Sequence, residues 1–197
     1  VCGGSRRYVE ALIRPFHDRI WTASPVTSVR RDPDQVLVNG EAFDQVVLAC
    51  HSDQALDVLE DATHAEREVL GSLTYQMNKV VVHTDTSVLP RRKAAWGSWN
   101  YYVAEQEESP AVVTYNMNLL QTLQAPRTFC VTLNSVQDID PKAVLYETSY
   151  SHPLYTREAV SAQQRHKEIS GRNRTHYCGA YWGYGFHEDG ILSASRV

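Results

Sequence analysis

The run from Gln45 to Cys50 (QVVLAC) constrains the fold more than any other stretch of this chain. Apolar residues follow one another there without polar alternation, which suits a strand buried on both faces, the habit of parallel sheets. The run passes straight into residues 51–59, whose pattern predicts a short helix with Ser52 or Asp53 as its cap. Strand, sharp turn and helix in immediate succession belong to an α/β sheet. Just ahead, Asn39-Gly40 stands between Val36-Leu37-Val38 and Glu41-Ala42-Phe43 and predicts a tight hairpin, because such a turn needs residues that tolerate positive φ.

Upstream, the stripe Tyr8, Val9, Leu12, Ile13 and Phe16 predicts a helix from Ser5 to Phe16, capped by Ser5, with its regular turns ending near Arg14 because Pro15 follows. Trp21 to Val29 is rich in β-branched residues and reads as a strand, followed by a turn at Asp32-Pro33-Asp34-Gln35. A helix is predicted from Thr63 to Ser72. After it, Lys79 to Thr84, Ala94 to Ala104, Ala111 to Tyr115 and Thr128 to Leu133 read as strands. Breaks fall at Pro90-Arg91-Arg92, Glu107-Glu108-Ser109-Pro110 and Gln124-Ala125-Pro126. Together they predict a mainly antiparallel sheet. A helix from Thr156 to Ser170, a short strand from Thr175 to Ala180, an aromatic–glycine loop and a final helix opened by Glu188-Asp189-Gly190 complete the chain.

Composition narrows the function. The chain has 197 residues, 43% hydrophobic and 21% charged, which excludes a disordered polymer. A net charge of −4 predicts no basic face and no nucleic-acid partner. No apolar run approaches the ~20 residues of a bilayer span, so no transmembrane segment is expected. The start, Val1-Cys2-Gly3-Gly4-Ser5, has no basic and apolar leader and no initiator Met, which points to a processed chain or a piece of a longer one. Cys2, Cys50, Cys130 and Cys178 stand far apart without a C-x-x-C, and read as reduced thiols of a cytoplasmic protein. The eight histidines show no ligand spacing, so no metal site is expected.

The tail from Thr175 to Val197 (THYCGAYWGYGFHEDGILSASRV) carries the chemistry. Glycines admit close approach to the main chain, the acidic residues open a helix whose first N–H groups attract a negatively polarised oxygen, and Tyr181, Trp182, Tyr184 and Phe186 could wall a planar pocket. The same residues also suit a packed aromatic corner with glycines at its turns.

This arrangement resembles the C-terminal flavin-binding stretch of the flavin-containing amine oxidase superfamily. It is most similar to a subgroup of bacterial NAD/FAD-binding oxidoreductases with CGAYWGYGFHEDG-like tails and the H-T-D-T-S-x-L-P-R-R phrase found here at His83 to Arg92. In that family a strand with an A-G-x-E-like end precedes a glycine loop and a helix that meets the pyrimidine edge of the flavin. Here Cys178-Gly179-Ala180 takes the strand end, and Gly190, Ser193, Ala194 and Ser195 take the small-residue helix face. The usual acidic residue is absent, since Ala180-Tyr181 follow the glycine.

The resemblance implies that Gly179, Glu188, Asp189 and Gly190 surround the flavin ring of FAD and that Val26 meets its adenine through the main chain. It implies Lys79 as the catalytic residue, holding a water near flavin N5, and Trp182, Tyr184 and His187 as substrate contacts. Against these stand plainer readings: Lys79 as a surface lysine on a strand edge, and the acidic pair as helix caps rather than an acid/base cluster with His187. Gly3-Gly4-Ser5 and its helix resemble the G-G-x-x-x-L segment of the family.

No G-x-G-x-x-G fingerprint occurs, so the half of the protein that grips the pyrophosphate is expected to be missing. The implied fold is α/β (α+β): the second half of a Rossmann-type FAD/NAD(P)-binding fold with an inserted, mainly antiparallel sheet-plus-helix substrate domain. Residues 1–59 and 171–197 would belong to the FAD-binding part and residues 60–170 to the substrate domain. The implied activity is hydride transfer from a small-molecule substrate C–H to flavin N5, with the isolated piece inactive without its N-terminal half. Relatives also act on polyenes and other lipids as desaturases or isomerases. The same residues are compatible with an NAD-linked flavoprotein reductase and with a non-catalytic interaction or scaffold module.

Overall fold

The computed structural model describes residues 4–103, 111–135 and 137–197. Cys2, the expected break at Glu107-Glu108-Ser109-Pro110 and the expected strand end at Ala104 therefore lie outside the described residues. The elements begin with α1 (Arg6–Ile13), β1 (Val29–Arg31), β2 (Val36–Val38), β3 (Glu41–Phe43), β4 (Val46–Leu48), α2 (Ser52–Val58) and α3 (His64–Gly71). Next come β5 (Tyr75–His83), β6 (Trp99–Tyr102), β7 (Val112–Asn116), α4 (Met117–Leu120), β8 (Cys130–Leu133) and β9 (Val144–Pro153). The chain closes with α5 (Arg157–Gln163), α6 (His166–Ile169), β10 (Thr175–Tyr177) and α7 (His187–Ala194). Two units result, one from Trp21–Gln76 and His152–Val197, the other from Val1–Ile20 and Met77–Ser151.

In the first of these units, β1, β2 and β3 form an antiparallel meander. Asn39 and Gly40 turn between β2 and β3 with φ of 48° and 86°, the two positive angles that such a turn requires. The strand expected from Trp21 to Val29 is not formed before Val29. The reason lies in Asn39, whose Oδ1 accepts the N–H groups of Thr27 (2.8 Å) and Ser28 (3.1 Å), so a side chain takes donors that a neighbouring strand would need.

β4 pairs in parallel with β10, Val46 beside Thr175 and Leu48 beside Tyr177. The outer edge of β10 is closed by its own chain. Thr175 N–H donates to Arg172 O at 2.8 Å and Tyr177 N–H to Ser170 Oγ at 3.2 Å, while His166 Nε2 lies 2.7 Å from Tyr177 O. The outer edge of β4 is open. Val47 N–H and C=O have no hydrogen-bond partner among the described residues, and the residue is 49% exposed. The expectation of a strand buried on both faces is thus corrected: Leu48 is buried, and Val47, on the opposite face, is not, because no described residue covers that face.

The helices follow their capping chemistry. Thr63 caps α3: its Oγ1 accepts from Glu66 N–H at 3.2 Å, and Glu66 Oε2 accepts from Thr63 N–H at 2.7 Å. α2 is capped by His51, not by Ser52 or Asp53 as expected. Gln54 Oε1 accepts from His51 N–H at 3.1 Å, and Ser52 turns inward to donate to Leu73 O at 3.0 Å. The single helix expected from Thr156 to Ser170 is two, α5 and α6, separated by a tight turn in which Gln164 and Arg165 N–H donate to carbonyls three residues back. Val29, Val36, Ala55, Val69, Leu70 and Tyr177 form the centre of this unit's core.

The other unit is built on a five-stranded sheet of order β6-β7-β8-β5-β9. One face buries polar as well as apolar groups: His83 Nε2 lies 2.7 Å from Thr132 Oγ1, which lies 2.9 Å from Thr114 Oγ1. β9 is a strand that the sequence pattern does not mark. Residues 94–98 precede β6 as a 3-10 turn and extension instead of belonging to it, with Trp96 Nε1 donating to Pro90 O at 2.7 Å. α1 forms where its stripe predicts, yet Val9 and Leu12 stay exposed, and Ser5 makes no side-chain cap. Past Pro15 the chain continues as a 3-10 turn (Arg14–Arg19).

Cys50, Cys130 and Cys178 are free thiols. Among the described residues no helix is long and apolar enough to cross a membrane, and no three His, Cys, Asp or Glu side chains gather as metal ligands.

Candidate functional site

The tail is tied together by Ser193. Gly179 N–H donates to Ser193 Oγ at 2.9 Å, and Ser193 Oγ donates to Gly190 O at 2.8 Å, which fixes the end of β10 against α7. Gly179 has φ +157°, and a Cβ there would come within 2.5 Å of the Tyr181 ring. A Cβ on Gly183 would run into the Asp189 carboxylate. At both glycines the space is taken by the chain's own side chains.

Asp189 serves the start of α7. Its Oδ2 accepts the N–H groups of Phe186 (2.9 Å) and Tyr184 (3.0 Å), and its negative charge sits at the positive end of the helix. Glu188 is exposed, as is His187. Gly190 has room, with Ala180 Cβ 4.0 Å from where its own Cβ would lie.

The four aromatics of the loop do not share a wall. Tyr181 and Trp182 are buried, whereas Tyr184 is 66% exposed and Phe186 is also largely exposed. Trp182 meets the His166 ring edge-on at 4.6 Å. Gln163 Nε2 donates to Tyr181 O (2.9 Å) and Gly183 O (2.6 Å), holding the loop down. Tyr181 Oη and Trp182 Nε1 are buried with no hydrogen-bond partner among the described residues. Burial pushes the Tyr181 hydroxyl pKa well up, so it stays a neutral group. Tyr184 rests near Tyr155, ring centres 5.8 Å apart.

Val26 lies on an apolar cavity of about 530 Å³, walled also by Val38, Val46, Val47, Ala49 and Cys50. Its main-chain N–H and C=O make no hydrogen bond to a described residue. Burial raises the pKa of the Cys50 thiol at this wall.

Lys79 belongs to the other unit. It stands within β5, which begins at Tyr75, so it does not open the strand as the sequence suggests. Its Nζ is 3.2 Å from Glu147 Oε2. A cavity of about 550 Å³ lies beside the pair, with Asn134, Gln137 and Asp138 in its wall.

Sequence reasoning placed Ser193 only on the small-residue face of the last helix, and missed Gln163, which with it holds the loop, and the buried cluster of Arg31, Glu66 and Tyr177. Of these, Glu66 was legible as the third helical residue after Thr63, the place of a capping-box acid. Nothing local marks Gln163, Arg31 or Tyr177, because the partners of their side chains lie 18 to 111 residues away.

No family model matches the sequence, and no curated protein matches it. Solved structures do match the fold. Putrescine oxidase with putrescine bound aligns with a TM-score of 0.62 at 12% identity, over 99% of this chain and 52% of that one. A putrescine oxidase variant with redesigned cofactor binding aligns at 0.63 and 13% identity, over 98% and 51%. A CLA-producing fatty acid isomerase from P. acnes aligns at 0.58 and 15% identity, over 87% and 46%. The chain therefore shares the fold of part of these enzymes, and spans about half the length of the solved chains it matches.

Proposed function

We propose that this chain is one half of an FAD-dependent oxidoreductase of the amine oxidase type, acting on a small molecule. The observation that carries the reading is a fold shared, over nearly the whole chain, with half of putrescine oxidase. The tail's resemblance to a flavin-binding stretch supports it. So does the open edge of β4 at Val47. Proteins normally pair or cover an open strand edge, and a strand from sequence outside these 197 residues, leading into a glycine-rich phosphate loop, would close this one. Residues 1–59 and 171–197 then belong to the cofactor domain and 60–170 to the substrate domain. Free thiols suit a cytoplasmic setting.

The residues fit FAD unevenly. At the adenine end, Val26 offers an unpartnered N–H and C=O beside an apolar cavity, which suits a flat heterocycle with donor and acceptor edges. At the ring end, Gly179 is occupied by Tyr181, so contact rests on the main-chain N–H groups of Glu188 and Asp189 at the start of α7, with Gly190 keeping that turn slim. When bound, FAD supplies the hydride acceptor, N5. In this reading Lys79, whose Nζ is paired with Glu147 Oε2, is the catalytic residue, and Trp182, Tyr184 and His187 contact substrate.

Two observations favour other readings. The likeness to a fatty acid isomerase favours action on a lipid or polyene. The filling of the glycine spaces by Tyr181 and Asp189 favours a non-catalytic module on the same fold. The test is the absorption spectrum of protein purified from its complete gene. Flavin bands near ~450 nm, with FAD released on denaturation, are expected. A colourless, well-folded protein would overturn the oxidoreductase reading in favour of the module.

A further inference from the structure

One side chain organises the segment that leads into β1. Asn39 Oδ1 accepts the N–H of Thr27 at 2.8 Å and that of Ser28 at 3.1 Å, and Asn39 Nδ2 donates to Pro25 O at 2.9 Å. The main chain adds a further bond, with Asn39 N–H donating to Ser28 O at 3.0 Å. All these residues belong to the unit built from Trp21–Gln76 and His152–Val197.

The side-chain bonds bracket Val26. A trans peptide group is planar, and its C=O and N–H point in opposite directions. No peptide bond among the described residues is cis. Pro25 C=O and Val26 N–H share one peptide group, so fixing that carbonyl on Asn39 turns the Val26 N–H away from Asn39. Val26 C=O and Thr27 N–H share the next, so fixing the Thr27 N–H on Asn39 turns the Val26 C=O away as well. One donor and one acceptor of a single residue therefore face away from the hairpin. Neither meets a described residue, and Val26 stands in the wall of the apolar cavity of about 530 Å³.

The bracket is more demanding than the turn. With φ of 48°, position 39 lies in the left-handed region, which a hairpin turn fills with Asn, Asp or Gly. An Asp there would supply the acceptor for Thr27 and Ser28 but set an oxygen against Pro25 O. A Gly would serve the turn and hold nothing. Only the Asn amide combines that φ with an acceptor and a donor.

We propose that Asn39 is a positioning residue for the adenine of the cofactor. It holds the Val26 N–H and C=O as a fixed pair, to be met by a heteroaromatic edge that carries an acceptor beside a donor. The inference rests on the reading of Val26 as the adenine contact. Holding the pair in place before binding removes an ordering cost from the binding step.

The test measures the Kd of FAD for flavin-free protein from the complete gene. Two hydrogen bonds, each worth about fivefold, depend on the bracket. Asn39→Gly keeps the turn and removes the bracket, and should raise Kd about twentyfold. Asn39→Asp keeps the acceptor and loses the donor, and should raise it about fivefold. Deuterium exchange separates positioning from a general weakening of the fold. In FAD-saturated wild type the Val26 N–H should exchange more slowly than in flavin-free protein. In FAD-saturated Asn39→Gly that slowing should be lost, while the absorption spectrum stays that of bound flavin. Should Asn39→Gly fail to fold, Asn39→Asp carries both readouts. An unchanged Kd overturns the proposal. So does a raised Kd with the slowing at Val26 intact, which makes Asn39 a purely structural residue. Wild-type protein that binds no FAD, or binds it without slowing Val26, instead overturns the reading on which the proposal rests, and the proposal with it.

Discussion

Tyr177 donates its hydroxyl hydrogen to Glu66 Oε1 across 2.7 Å, with both side chains shut away from water. Arg31 grips the same carboxylate twice, at 2.6 and 3.0 Å, and its side chain is only 3% exposed. The three residues come from β10, α3 and β1, so one buried anion pins together elements from opposite ends of the sequence. Burial alone would raise the Glu66 pKa. The hydrogen bonds from Arg31 and Tyr177 outweigh it and hold the pKa at about 2.

Removing one member should therefore cost more than its own bond. Glu66→Ala leaves the Tyr177 hydroxyl without its acceptor and Arg31 with Asp61 alone, 2.8 Å from its Nε, and is expected to destabilise by about 3 kcal/mol, the low end for a broken buried pair. Tyr177→Phe removes a single donor to a charged acceptor and should cost about 1.5–3 kcal/mol. Urea unfolding midpoints of the two variants check the order; an equal, small effect for both would show that the cluster is not a unit.

The same cluster sets a pH limb. The Glu66 pKa is lower in the folded state than its ordinary 4.5, so its contribution is complete above that value and is lost as pH falls toward about 2. His83 is buried on the sheet of the other unit, and burial lowers its pKa below the ordinary 6.5. The unfolded chain then takes up a proton that the folded chain refuses, so stability also declines as pH falls through 6.5. Urea midpoints measured from about pH 8 to about pH 3 should fall in two stages, and Glu66→Gln should flatten the lower one.

Local chemistry made much of the fold legible. Asn39-Gly40 marked a hairpin that forms as a turn with two positive φ angles, and the helix expected from Thr63 to Ser72 forms as α3 with Thr63 as its cap. What stayed illegible depends on partners distant in sequence. The β-branched residues before Val29 look like a strand, but the Asn39 side chain takes their donors. An apolar run predicts burial of Val47, but burial needs a neighbour that this chain does not place there. The glycines of the tail read as room for a ligand, and the structure gives the room to Tyr181 and Asp189.

Two glycines that look alike in sequence should behave differently. Gly179→Ala forces a Cβ against the Tyr181 ring, at a φ of +157° that L residues rarely adopt, and should destabilise by about 1–3 kcal/mol. Gly190→Ala places its Cβ 4.0 Å from Ala180 within α7, where alanine is the better helix former, and should stabilise by up to about 1 kcal/mol. Thermal midpoints of the pair check this.

The acidic pair at the start of α7 separates capping from chemistry. Asp189 accepts two main-chain N–H groups, so Asp189→Ala should cost about 1 kcal/mol of stability, with Asp189→Asn intermediate because its amide oxygen can still accept. Glu188 is exposed, and Glu188→Gln should leave stability within about 0.5 kcal/mol of wild type. If the cluster with His187 worked as an acid/base pair, either substitution would shift the pH profile of turnover in the complete protein. The helix-start geometry instead predicts an unshifted profile for both, with the loss confined to the melting temperature of the Asp189 variants.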